Sequence, residues 1–134
     1  MANEAVPVEG PYEIHDFVVA SGTNIPQFTL CKLSDPRTAA ASSAADVFAG
    51  VAMSEKSILN GDVSTRLGLA TKGIFKLTAA PGAAITAGMC VSLSGANLIK
   101  QAVAAELLTG AAFGKAMESI ASSTTGDVAI GVIA

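Results

Sequence analysis

The sequence predicts a mainly β fold: one small β-barrel or sandwich built from two internally duplicated units, with an extended N-terminal arm and at most one short helix. Three observations lead there. Apolar residues recur at every second position over much of the chain, the period at which strand side chains share a face. Glycines and short polar runs interrupt that pattern at spacings suited to strands rather than helices. Finally, the first half recurs in the second. Ile25 and Lys32-Leu33-Ser34 match Ile85 and Ser92-Leu93-Ser94 at an offset of 60, and Phe48, Gly50, Ala52 and Met53 are echoed by Phe113, Gly114, Ala116 and Met117. Gly61-Asp62-Val63 returns as Gly126-Asp127-Val128 at an offset of 65. Neither unit buries a hydrophobic face alone, so the two are expected to wrap together with approximate two-fold pseudosymmetry.

The elements follow in order. Residues 1–13 form the arm, because Pro7 and Pro11 remove backbone donors and favour extended geometry. The domain proper spans 14–134. Residues 34–46, rich in Ala and Ser, read as a long surface loop. Val63, Thr65, Leu67 and Leu69 fall on one face of a half-buried strand, and Thr71-Lys72-Gly73 turns the chain into Ile74-Phe75-Lys76-Leu77. Met89, Val91 and Leu93 alternate up to the turn Gly95-Ala96-Asn97, which closes another hairpin. Residues 101–109 are the one candidate helix, with Val103 and Leu107 four apart and Gly110 placed to cap its end; at that length it is marginal. Strands over 115–120 and 128–133 flank a polar turn, with Val128, Ile130 and Val132 on one face.

Composition narrows the function. The chain has 134 residues, 51% hydrophobic and only 14% charged, against a usual charged share of roughly 25%. So little charge beside so many small apolar residues favours burial against other chains, hence an oligomer or assembly subunit. A net charge of −3 offers no footprint for nucleic acid or an anionic membrane. The acids gather at the head: Glu4, Glu9, Glu13 and Asp16 precede the first base. No basic stretch leads into an apolar run at the start, so synthesis in the cytoplasm is expected. Residues 77–99 carry no charge over a length that could span a bilayer. Pro81, Gly82, Gly88, Gly95 and Asn97 break the run into turns, so it reads as short strands. Cys31 and Cys90 have no metal-ligand spacing; the simplest reading is two reduced, half-buried small hydrophobes, with a disulfide left open.

Catalytic chemistry is hard to assemble from one His, one Tyr and no Trp. His15 precedes Asp16, but no nucleophile-elbow motif accompanies them, and a solvated histidine is expected. Residues 110–116 are one spacer short of a phosphate loop and end in Ala where Ser or Thr would hold magnesium, so they read as a strand entry. Asp46, Glu55, Asp62, Glu118 and Asp127 sit beside turns, and Asp62 and Asp127 read as turn formers. One alternative is a small barrel carrier or accessory domain with a modified turn lysine, Lys72. Thr71, however, precedes it where such carriers place an acidic residue or Met, which favours a plain exposed turn lysine. No catalytic, cofactor-binding or metal-binding residue is assigned.

Beyond these readings, the chain resembles the small phage capsid cement (head decoration) proteins. The resemblance rests on the arm, on Asp46-Val-Phe-Ala-Gly-Val-Ala-Met-Ser-Glu55 and Thr71-Lys-Gly-Ile-Phe-Lys76, and on Ile85-Thr-Ala-Gly-Met-Cys-Val-Ser-Leu93. Phe113-Gly-Lys-Ala-Met-Glu118 leading to Gly126-Asp-Val128 completes it. It covers most of residues 20–134 and implies a non-enzymatic homotrimer on the outer surface of an icosahedral head, clamping neighbouring major capsid subunits. It also implies an arm that reaches across subunits, carried over here to Val6, Pro7, Val8, Pro11 and Tyr12 as candidate contacts. Such an arm adds to a neighbour's strand edge, and three arms per trimer act together. Deleting residues 1–13 is expected to leave the fold intact and weaken attachment.

Overall fold

The computed structural model describes residues 3–20, 23–35, 37–43, 46–55 and 65–131. The described chain is mainly β, with nine strands in one sheet and one six-residue helix. The strands are β1 (Val6–Val18), β2 (Leu30–Asp35), β3 (Thr38–Ala41), β4 (Phe48–Ala52) and β5 (Arg66–Ala79), then β6 (Cys90–Gly95), β7 (Leu98–Gln101), β8 (Ala112–Ala116) and β9 (Thr125–Ile130). The helix α1 (Ala104–Thr109) lies between β7 and β8. Hydrogen bonding runs β1-β3-β2-β4-β5-β7-β6-β8-β9, and the further pairs β1–β5 and β5–β9 close the sheet on itself twice, with β5 shared by both circuits.

The duplication is written in the register. Cys31, Lys32 and Leu33 pair with Ala41, Ala40 and Ala39, and a bulge follows before Asp35↔Thr38. Sixty residues on, Val91, Ser92 and Leu93 pair with Gln101, Lys100 and Ile99, with the same bulge before Gly95↔Leu98. The parallel pair Val18↔Thr38 returns as Thr78↔Leu98. Cys31↔Gly50 becomes Val91↔Gly114, Ala52↔Leu69 becomes Ala116↔Val128, and His15↔Leu69 becomes Phe75↔Val128. Even left-handed backbone recurs, at Phe28 and Gly88 and at Arg37 and Asn97. The first unit thus runs from the second half of β1 to the first half of β5, and the second from the rest of β5 to β9. One match read from the sequence differs: the register sets Leu67-Gly68-Leu69 against Gly126-Asp127-Val128, while Gly61, Asp62 and Val63 lie outside the described residues. Likewise Phe48 aligns with Ala112, not Phe113; the two phenylalanines are not equivalent but stacked on each other, centroids 3.9 Å apart.

Equivalent positions build equivalent cores. Val19, Ile25, Cys31, Ala39, Ala49, Ala52, Leu67 and Leu69 fill the first unit. Their counterparts Ala79, Ile85, Val91, Ile99, Phe113, Ala116 and Val128 fill the second, and Gly126 holds the position equivalent to Leu67. Side-chain size differs at two of these positions, where Ala49 and Leu67 in the first unit are matched by Phe113 and Gly126 in the second. A Cβ on Gly126 would lie 2.9 Å from Ile120 Cδ1, so the glycine leaves room for the neighbouring side chains. The two glycines shared by both units are fixed by backbone. A Cβ on Gly50 would meet Ala70 O at 2.8 Å, and one on Gly114 would meet Ala129 O at 2.7 Å.

Several local expectations change. Residues 34–46 are not one loop, since β3 crosses them, pairs with β2 and buries Ala39 in the core of the first unit. Thr71-Lys72-Gly73 is not a turn, because β5 passes straight through it, held by β1 on one edge and β9 on the other. Asp127 lies within β9 rather than in a turn, paired with Lys76. Cys31 is fully buried, Cys90 half-buried, and the two are not joined by a disulfide. The helix is shorter than 101–109, and Val103 and Leu107 face solvent instead of the core. No helix among the described residues is long and apolar enough to cross a membrane; the uncharged run 77–99 holds the end of β5, all of β6 and the start of β7.

Candidate interaction surfaces

The N-terminal strand is laid on its own chain. Val6, Pro7, Glu9 and Glu13 pair with Lys76, Phe75, Ile74 and Lys72, with irregular register between them, and β1 continues unbroken past Glu13. Tyr12 packs on Phe75 at 5.3 Å, and a Cβ on Gly73 would strike the Tyr12 ring, so this bare backbone position makes the contact possible. Ala5 is buried in the main core. Removing residues 1–13 would therefore uncover Phe75 and cost the fold, contrary to the expectation of an intact domain. Of the five arm residues, Pro7 and Tyr12 are half-buried in the chain itself, whereas Val6, Val8 and Pro11 are exposed. Among the described residues, β5 is the one strand paired with residues 6–13, on one edge of β1; two prolines there limit indiscriminate strand addition on the other.

A second apolar surface surrounds α1. None of the helix's residues is buried, and Leu108 is 91% exposed. The helix is tethered by Glu106, whose Oε1 accepts from Ser92 Oγ (3.0 Å), Val103 N (2.9 Å) and Lys100 Nζ (2.9 Å). Burial pushes the Glu106 pKa up, but the Val103 amide, Lys100 and Ser92 together outweigh it and hold the carboxyl below its ordinary value. Met89 and Met117, exposed by 43% and 57%, stand at the end of the same unit, where Ala116 N donates to Met89 O.

Polar groups elsewhere are arranged as struts. Lys76 Nζ contacts Asp127 Oδ1 at 2.9 Å, and Glu118 Oε2 accepts from Asp127 N at 2.8 Å. His15 Nε2 lies 3.3 Å from Glu13 Oε1 on the surface and makes no hydrogen bond to Asp16 that would resemble a triad. Lys72 is exposed in mid-strand, beside an open apolar cavity of about 210 Å³ lined by Pro11, Ile74, Ala129 and Ile130. Among the described residues no three His, Cys, Asp or Glu side chains gather as a metal would need. Cys31, pushed up to about 12 by burial, is an inert thiol rather than a nucleophile.

The sequence reading singled out the arm and missed Leu33, Val47, Met89, Met117 and Leu108. An apolar residue on a periodic face carries no sequence signal that separates a surface position from a core one. The chain matches no protein-family model and no curated protein.

Proposed function

We propose that the chain is a structural virion protein: a capsid cement, or decoration, homotrimer that binds the outer surface of an icosahedral phage head and clamps neighbouring major capsid subunits. It would be synthesised in the host cytoplasm and need no cofactor, nucleic acid or membrane. The observation that carries this reading is the distribution of exposed large apolar side chains. Val6 and Val8 lie on the edge strand, Leu33 and Val47 on the first unit, and Met89, Leu108 and Met117 on the second, in a chain with 14% charged residues. Such surfaces are costly in water and mark contact with other proteins. The resemblance to cement proteins supplies the identity of the partner. Against the carrier alternative, Lys72 stands within a strand instead of at a hairpin tip where a swinging cofactor could move.

Electron microscopy of virions made with and without the chain tests the reading: density is expected on the outer face of the shell only when the chain is present. Identical shells in the two preparations would end it. A Val6→Glu/Val8→Glu variant, altered only at exposed positions, should keep its melting temperature and occupy expanded heads less fully.

A further inference from the structure

The two units meet head to tail. From the second unit, Asn97 Oδ1 accepts from Leu30 N at 2.8 Å, Gly95 O accepts from Ser42 Oγ at 2.9 Å, and Phe113 stacks on Phe48. Leu93 joins the same core as Leu30, with Met53 packed against it. The two sides of this junction are different surfaces, and the register gives each a counterpart that the junction does not use. Leu33 stands where the second unit has Leu93, and Met117 stands where the first has Met53.

The exposures make the point. Leu33 is 40% and Val47 39% exposed, whereas their counterparts Leu93 and Ala111 are buried. Met89 and Met117 are exposed, whereas their counterparts are the fully buried Thr29 and the core-packed Met53. Four exposed large apolar side chains thus occupy positions whose counterparts are buried or core-packed, and two of those counterparts, Leu93 and Met53, lie at the junction between the units.

We infer that a second copy of the chain provides the missing cover: the Leu33/Val47 surface of one copy docks on the Met89/Met117 surface of the next, repeating between chains the junction that joins the units within one. A contact between unlike surfaces closes into a ring when its rotation permits. Three copies would set six units around one axis, which deepens the trimer proposed above and rests on that reading for the number three. The intermolecular junction is the weaker one. Ala102 stands in place of Ser42 and offers no hydroxyl, and Arg37, in place of Asn97, donates instead to Asp16 O at 2.7 Å. Apolar contact carries the association, so it is concentration-dependent.

Sedimentation velocity on the purified full chain tests this with two variants, Leu33→Glu/Val47→Glu and Met89→Glu/Met117→Glu, each checked for an unchanged circular dichroism spectrum and melting temperature. Wild type is expected to assemble by about 0.1 mM and each variant alone to remain monomeric. A 1:1 mixture should form dimers and stop there, because only one intact pair of surfaces remains. A monomeric wild type at that concentration, or either variant assembling like wild type, overturns the inference. Should a Glu variant fail to fold, Leu33→Ser and Met117→Ser carry the same comparison. Head occupancy is scored separately: rings that ignore capsids would refute the cement role alone, and monomers that decorate heads would refute the ring alone.

Discussion

Replacing Asn97 measures how firmly the two units are locked. The residue is fully buried with φ +58, and its side chain accepts the Leu30 amide at 2.8 Å from 67 residues away. Asn97→Gly keeps the left-handed backbone and removes the acceptor, leaving a buried amide short of a partner at a cost of about 1–3 kcal/mol. Asn97→Ala removes the same bond and adds about 1 kcal/mol for a Cβ in left-handed geometry. The expected order is wild type, then Gly, then Ala, with Gly about 2 kcal/mol down, a sizeable part of a margin that is typically about 5–15 kcal/mol. Urea unfolding at fixed m reads these differences directly, and for a chain of this length each kcal/mol lowers Tm by about 3–5 °C. A Gly variant within about 0.5 kcal/mol of wild type would show that the junction does not depend on this bond. An Ala variant no worse than Gly would refute the backbone half of the argument.

Other consequences are as specific. Gly50→Ala and Gly114→Ala each push a Cβ against a fixed carbonyl and should cost about 1–3 kcal/mol apiece, near-additively because the sites lie in different units, as denaturant midpoints of the single and double variants would show. Glu106 is held below its ordinary 4.5, so it stabilises the fold above that pH and ceases to do so as pH falls through its depressed value. Glu106→Gln should therefore melt earlier than wild type at pH 7, with the gap closing under acid; a gap that persists in acid would mean the carboxylate charge is irrelevant. Native alkylation near pH 8 should label Cys90 and spare Cys31 until the chain is unfolded, counted by intact mass.

Much of the fold was legible because strand periodicity survives in the residues that matter. Phe75 and Leu77, Val91 and Leu93, and Val128 and Ile130 alternate inward as read. The repeat was legible where the units kept the same residue, as at Ile25 and Ile85 or Gly50 and Gly114. It was misaligned where they did not: Gly61-Asp62-Val63 resembles Gly126-Asp127-Val128 by letter, yet Leu67-Gly68-Leu69 holds that place by pairing. β3 was hidden because Ala39, Ala40 and Ala41 lack the β-branched or aromatic side chains that signal a strand, although Ala39 joins the core of the first unit. The Thr71-Lys72-Gly73 error has the same origin: a glycine was read as a turn, when it gives Tyr12 access to Phe75. Exposure of Leu33 or Met117 was not legible at all, since an apolar residue on a periodic face does not say which neighbour is missing.

The two units keep their geometry while trading the residues that enforce it. Lys32 pairs with Ala40 in the first, and Ser92 pairs with Lys100 in the second, so the lysine sits on opposite strands of the same register pair. Each lysine nonetheless ties down the segment that follows, Lys32 reaching Asp46 at 4.0 Å and Lys100 holding Glu106 at 2.9 Å. What differs is what that segment presents: a short connection in the first unit, and α1 with Leu107 and Leu108 turned outward in the second. Divergence has therefore left the shared scaffold intact and altered the surfaces, which is the pattern expected when two copies of one unit must meet different neighbours. A pair of units that met only each other would have no physical reason to keep apolar side chains exposed at the unused positions.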